Sequence, residues 1–373
     1  MNTTRPVISL DEYSSDAELA AVELFIGYPD ALLKFVGVCC IIYILIGVPG
    51  NLITIISLIR FKQIQNATAI FIINLAVVDL LFSALVLPMV VFSYWTHSWV
   101  HGRVLCRIFP LINHIFVLVS LYNVVLIAIN RYVLICHPIR YCSIYTKRNI
   151  YIMISTIWIV ITGILLLPFF EVWGQMSLDP NTGACTMVED KYGRNPKKLI
   201  ITVSLSACFS IIVACYIRIL IVVKRSVKRA NTRVAGAIEV DCTTNYYTNT
   251  EAPGDDDISF SSDDTEVHEG TENVAQLTVE PSNRTRTPKK RLPSKKDKKL
   301  RTMVWAVMIC VFVCYVPITL IKAVYKQINT SPTFNIIGYV LVYFAPCVNP
   351  VLYVLMSKEY RQAYKSLLQI KNR

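Results

Sequence analysis

Charge is scarce in this chain. Only 17% of its 373 residues are Asp, Glu, Lys or Arg, against about 25% in soluble domains. A surface facing water all round needs more, so an ordinary soluble globule is excluded. Histidine is rarer still, with five residues, and His97, His101 and His114 have no acids at metal-ligand spacing. No glycine-rich phosphate loop occurs. An enzyme or a metal protein is therefore not expected. No polar stripe threads several apolar stretches and no inverted repeat is visible, which disfavours a channel or transporter. No apolar h-region precedes residue 33, so no cleavable signal peptide is expected and the first apolar stretch would direct insertion.

What the chain has is hydrophobicity: 54% apolar residues and a mean hydropathy of +0.49. A membrane helix needs roughly 20 mostly apolar residues. Seven stretches qualify: about Phe35–Ile59, Ile70–Tyr94, Val104–Cys136, Ile150–Phe170, Leu199–Val223, Met303–Tyr325 and Phe334–Met356. The third is interrupted by Arg107, Asn113, His114 and Asn123, so a strict hydropathy window is expected to lose it and report six. After the seventh, "SKEYRQAYKSLLQI" carries apolar residues at helical spacing with bases opposite. The expected fold is an all-α membrane protein, a seven-transmembrane helix bundle with a short amphipathic C-terminal helix.

The net charge of +12 would admit a nucleic-acid partner. However, the bases cluster between spans: Arg60, Lys62, Arg140, Lys147, Arg148, Lys224, Arg225 and the run before Met303 fall on one side. That pattern indicates a membrane and no nucleic acid. It places an acidic tail, 1–33, outside the plasma membrane and the C-terminus in the cytosol. Residues 34–225 hold five spans, 298–356 two more, and 357–373 the terminal helix and tail. Residues 226–297 read as a disordered loop, because Glu239 to Glu280 has no Lys or Arg and is followed by "NRTRTPKKRLPSKKDKKLR". That basic run suits anionic lipid. Of twelve cysteines only Cys106 and Cys185 fall on the outer, oxidising side, so one disulfide is expected. Asn2-Thr3-Thr4 is a glycosylation sequon.

Ionisable groups inside a span are costly and point to function. Asp79 is the clearest, with Asn51, Ser120 and Asn349 at similar depth in neighbouring spans. The cluster suits water, a proton or a sodium ion, or simply a satisfied polar network. At the end of the third span, "LIAINRYVLICHP" places Arg131 between Asn130 and Tyr132 where lipid gives way to water.

Together these positions resemble a rhodopsin-like (class A) G-protein-coupled receptor. Asn51, Asp79, Cys106, Asn130-Arg131-Tyr132, Trp158, Cys185, Tyr216, "CYVP" (Cys314 to Pro317) and "NPVLY" (Asn349 to Tyr353) each fall in the matching element and in order. Within the class, the outer loop and "INRYVLICHP" are similar to the invertebrate trapped-in-endoderm and Moody receptor group, linked to cell migration and barrier function. The resemblance implies coupling to a heterotrimeric G protein, with an inhibitory class as the family guess, and arrestin and receptor kinases as further partners. Asn130, Arg131, Tyr132, Tyr216, Asn349, Pro350, Tyr353, Tyr315 and Pro317 would form the switch. Asp297 would restrain Arg131 across the bundle, lying 20 residues before Pro317, about 30 Å of helix.

Tyr315 stands where the family has tryptophan. Ala345 and Pro346 replace polar groups, so only a weakly held sodium ion at Asp79 is expected. Tyr343 stands where opsins carry the retinal lysine, which excludes that cofactor. Asn113 stands where amine receptors carry an aspartate. The ligand pocket implied by these positions comprises Met89, Asn113, His114, Val117, Ser204, Thr319, Lys322, Tyr339 and Tyr343, with Ile318. It is apolar with one cation, Lys322, which suits a lipid or other amphiphilic acid. A peptide or melatonin-like ligand is the alternative, and a channel, a transporter or a non-signalling scaffold is the reading from another class.

Overall fold

The computed structural model describes residues 9–60, 67–180, 182–248 and 332–356, together with 306, 309–310, 312–318, 361, 362 and 364. Among them six helices are long and apolar enough to cross a membrane: Asp30–Arg60, Ala67–Thr96, Gly102–Cys136, Lys147–Phe169, Pro196–Ser226 and Phe334–Leu355. They are the first to fifth and the seventh spans. Of the sixth, residues 306, 309–310 and 312–318 are described, all helical. The expected loss of the third span is thus corrected. That helix is 35 residues long with a window hydropathy of 2.1, so its scattered polar groups are outweighed by length.

The third helix is as enclosed as the second and far more so than the fourth. Over half of its apolar window, 56%, is buried, against 17% for the fourth helix. Ile159 and Val160 of the fourth and Phe35 and Leu45 of the first stay exposed. In lipid an exposed apolar side chain costs nothing, so these faces need no protein partner. The first helix packs on the second and seventh, and the third packs on the second and fourth.

Local chemistry sets several helix details. Pro88 has no N–H and its ring crowds the carbonyl four residues back. The second helix absorbs this with a π turn at Phe82–Val86. Thr146 caps the fourth helix, its hydroxyl accepting from the Asn149 N–H at 3.3 Å. The Asn195 side chain likewise accepts from the Lys197 N–H at 3.1 Å and starts the fifth helix. That helix runs to Thr248, with no proline after Pro196 to stop it. The part of it apolar enough to cross a membrane ends at Ser226. Residues 223–293 form a unit of their own.

Two features were not anticipated. A β-hairpin lies between the fourth and fifth helices: β1 (Gln175–Asp179) pairs antiparallel with β2 (Ala184–Val188), Leu178 opposite Cys185. The sequence "DPNTG" between two apolar runs is its turn signal. The expected disulfide joins Cys185 to Cys106, with Cα atoms 5.2 Å apart, and pins β2 to the third helix. Secondly, the described part of the expected tail, from residue 9 on, is a packed segment. Leu10, Tyr13, Leu19, Leu24 and Phe25 are buried in the same core as the hairpin. A short helix, Asp16–Ala20, starts there, its Glu18 N–H donating to Ser15 Oγ at 3.2 Å. Ser15-x-x-Glu18 is a capping-box spacing.

Candidate functional site

Three polar or concave regions lie along the bundle axis. The middle one centres on Asp79, which is 1% exposed. Asn349 Nδ2 donates to Asp79 Oδ2 at 2.7 Å, and Ser120 Oγ donates to Oδ1 at 3.1 Å. Three helices are joined at one carboxyl group. Asn51 sits beside this cluster and donates instead to the carbonyls of Gly47 and Pro346, at 2.9 and 3.1 Å. Asp79 is the one acid of this cluster, so the residues fit at most a weakly held sodium ion; each carboxyl oxygen accepts one hydrogen bond and keeps a second lone pair.

At the end of the third helix, Arg131 and Asn130 are both buried. The Asn130 amide bridges two neighbours: its Oδ1 accepts from Thr68 Oγ1 at 2.8 Å, and its Nδ2 donates to the Tyr141 hydroxyl at 3.2 Å. Tyr141 belongs to a short helix, Pro138–Ile144, and stacks on Tyr145, which meets Phe71 edge-on. Asn130 therefore fastens the loop after the third helix to the second. Tyr132 and His137 share a hydrogen bond of 3.0 Å. Tyr216 is buried within electrostatic reach of Arg131, and Tyr353 of the seventh helix is buried as well. Thr54 and Tyr364 hydrogen-bond through their hydroxyls, tying the first helix to the stretch after the seventh.

At the opposite end is a cavity of about 1080 Å³. Its deep wall is apolar: Val117, Leu118 and Leu121 from the third helix, Leu205 from the fifth, Ile318, and Val342. Its roof is the hairpin and the N-terminal segment. Phe25 stacks on Tyr94 at 4.7 Å, and its backbone N–H donates to the Pro180 carbonyl at 3.0 Å. Gly183 has φ +68°, and a Cβ there would strike the Phe25 ring. Arg103 holds the segment from below, donating to the Tyr13 carbonyl at 2.7 Å and to Asp16 Oδ1 at 3.3 Å. The hairpin is braced by Arg107 on Glu171 at 2.9 Å and by Arg194 on Asp190 at 2.8 Å. Partial burial works to raise the Asp190 carboxyl, but N–H groups of Arg194, Tyr192 and Gly174 hold it down to about 2.

Of the expected pocket residues, Asn113, His114, Val117, Tyr339 and Tyr343 line this cavity, with Tyr315 and Ile318. Met89 and Ser204 are not among the residues that line it. The π turn ahead of Met89 shifts the helix register by about one residue, and Tyr94 lines the wall instead. Ser204 is buried about 100° of helix rotation from Leu205, which faces in. Asn2, Asp297, Thr319 and Lys322 lie outside the described residues. Phe25, Tyr28, Thr186 and Lys197 line the cavity without having been anticipated.

A family model described as 7 transmembrane receptor (rhodopsin family) matches residues 50–353. The chain is 31% identical over 361 residues to the G-protein coupled receptor moody of Drosophila pseudoobscura pseudoobscura, covering 92% of this chain and 53% of that protein. It is 31% identical over 350 residues to Protein trapped in endoderm-1 of Drosophila melanogaster, covering 92% and 79%. The chain thus spans about half the length of the moody receptors it matches. The crystal structure of squid rhodopsin superposes with a TM-score of 0.67 at 20% identity, covering 99% of this chain and 91% of that one, which speaks to the fold. This is a family of receptors, not of enzymes, and its members cross the membrane several times. The motif order, the bundle and the match over most of its length converge: the chain belongs to the rhodopsin family of seven-transmembrane receptors.

Proposed function

We propose that this chain is a plasma-membrane receptor that passes binding of a lipid or other amphiphilic acid to a heterotrimeric G protein. The observation that carries the reading is the cavity, about 1080 Å³ with an apolar deep wall, roofed by Phe25 and the hairpin. Pockets of about 300–1,000 Å³ hold ligands of drug size, and a roof over the mouth favours a ligand that partitions into lipid. Charge bias between spans supports an outer N-terminus and a cytosolic C-terminus. A disulfide at the hairpin end agrees, since bridges persist on the oxidising side.

In this reading Asp79, Ser120 and Asn349 transmit the ligand's effect, and Arg131 with Tyr132, Tyr216 and Tyr353 receives the G protein. Pro317 and Pro350 break helix regularity so that the inner ends move. Asp297 restrains Arg131 at rest. An inhibitory-class G protein, arrestin and receptor kinases are the partners that similarity to moody and trapped in endoderm-1 favours, with a role in cell migration or barrier function.

The test is a G-protein activation assay in cells, screened with fatty acids, lysophospholipids and peptides. An acidic lipid is expected to activate, Arg131→Ala to abolish the response at equal surface expression, and Asp297→Ala to raise basal activity. A response that survives Arg131→Ala, or a ligand-gated current under voltage clamp, would defeat the proposal.

A further inference from the structure

We infer that Lys197 and Thr186 form the seat for the ligand's anionic head group. This rests on the ligand being an amphiphilic acid, as proposed above, and assigns the contact to residues outside the sixth helix. Lys197 lies in the first turn of the fifth helix, and its Nζ donates to Thr186 Oγ1 at 2.6 Å. Both line the cavity. Because the Thr186 oxygen accepts from the ammonium, the hydroxyl hydrogen is the part Thr186 offers to a ligand. An anion placed there meets an N⁺–H and an O–H donor together, the stronger class of hydrogen bond.

The pair is held firmly. Thr186 follows Cys185, which the disulfide ties to the third helix. Lys197 is fixed at its backbone by the Asn195 cap. His114 lies within electrostatic reach of Lys197, on the third-helix wall. Its Nδ1 is committed to the Pro110 carbonyl at 2.6 Å, so only Nε2 remains for a ligand.

Charge around the cavity localises the seat. Glu171 and Asp190 are neutralised by Arg107 and Arg194. Glu12, Asp179 and Glu189 also line the wall and disfavour an anion beside them. Of the three lysines that line it, Lys191 and Lys198 are exposed, Lys191 over the Tyr192 ring at 5.2 Å, and Lys197 is the half-buried one joined to Thr186. From Lys197 to Leu205 the fifth helix descends eight residues, about 12 Å, along a wall that becomes apolar. An acid head at Lys197 therefore leaves a hydrocarbon tail against Val117, Leu121, Leu205 and Val342.

The experiment uses the full chain in nanodiscs, with thermal stability and displacement of a fluorescent fatty acid as readouts. The probes are oleic acid, 1-oleoyl lysophosphatidic acid and the uncharged methyl oleate. One or both acids are expected to bind, the preferred one naming carboxylate or phosphate as the head. Lys197→Gln and Thr186→Val are expected to weaken that acid by about tenfold or more, the scale of a lost hydrogen bond to a charged group. Methyl oleate should be unaffected, which also reports that the variants fold, and Lys197→Arg should retain acid binding. Acid affinity unchanged in both Lys197→Gln and Thr186→Val would overturn the seat while leaving the ligand class standing. Failure of both acids to bind the unaltered protein would overturn the ligand class and the seat together.

Discussion

Asp79 and Asn349 meet across the second and seventh helices through a 2.7 Å hydrogen bond, although 270 residues separate them in the chain. With Ser120 on the other oxygen, Asp79 is where three helices agree on their depth. Removing the carboxyl strands two buried donors. Asp79→Ala is expected to cost about 1–3 kcal/mol, seen as a lower melting temperature of the purified protein. Asp79→Asn keeps an oxygen for one donor and should lose less. Equal melting temperatures for Asp79→Ala and the unaltered chain would show that the junction contributes nothing.

Asn130 bonds to Thr68 and Tyr141, and it is neutral where a neighbouring acid could pair with Arg131. A hydrogen bond to a charged group is worth about 1 kcal/mol more than a neutral one. Asn130→Asp is therefore expected to lower basal G-protein turnover about fivefold at matched surface expression. The carboxylate keeps the bond from Thr68, and the Tyr141 hydroxyl, which now accepts from Asn130 Nδ2, can turn to donate, so folding should be spared. Basal turnover that stays level or rises would contradict this.

The roof depends on Phe25 filling the space above Gly183. Phe25→Ala empties it and Gly183→Ala collides with it at a positive φ. Both are expected to speed hydrogen exchange in residues 16–28 while leaving residues near Arg131 unchanged. A large buried aromatic typically contributes about 3–5 kcal/mol against alanine, so the effect should be large. Unaltered exchange would mean that the segment is held without Phe25.

Asp190 has a carboxyl held near 2 by N–H donors, below its ordinary 3.8. A depressed value stabilises the folded loop above the ordinary value, and that contribution is lost as pH falls through about 2. Between pH 5 and 8 it is constant. Once corrected for intrinsic chemistry, exchange at the Gly174, Tyr192 and Arg194 amides should thus be flat from pH 8 to 5, and faster throughout in Asp190→Asn. A midpoint between pH 5 and 7 would assign the effect to another group.

Apolar length located the first to fifth and the seventh spans, because each residue's cost in lipid is local and sums over a window. The same locality placed Asp79, Arg131 and the Cys106–Cys185 pair, since each is costly or reactive where it stands. Position on a helix face was harder. The π turn at Phe82–Val86 adds a shift of register that a regular 3.6-residue period does not contain, and Tyr94, not Met89, is among the residues lining the cavity.

What only the tertiary structure decided are the contacts between segments that have no periodic signal linking them. Ser15 and Glu18 mark a helix start, but nothing near them says that Phe25 will reach Pro180 and Tyr94. Lys197 reads as one base among several until folding brings it to Thr186. The physical reason is that burial in a bilayer is a property of single residues and their immediate neighbours. A hydrogen bond between distant segments is a property of the packing that brings them within 3 Å.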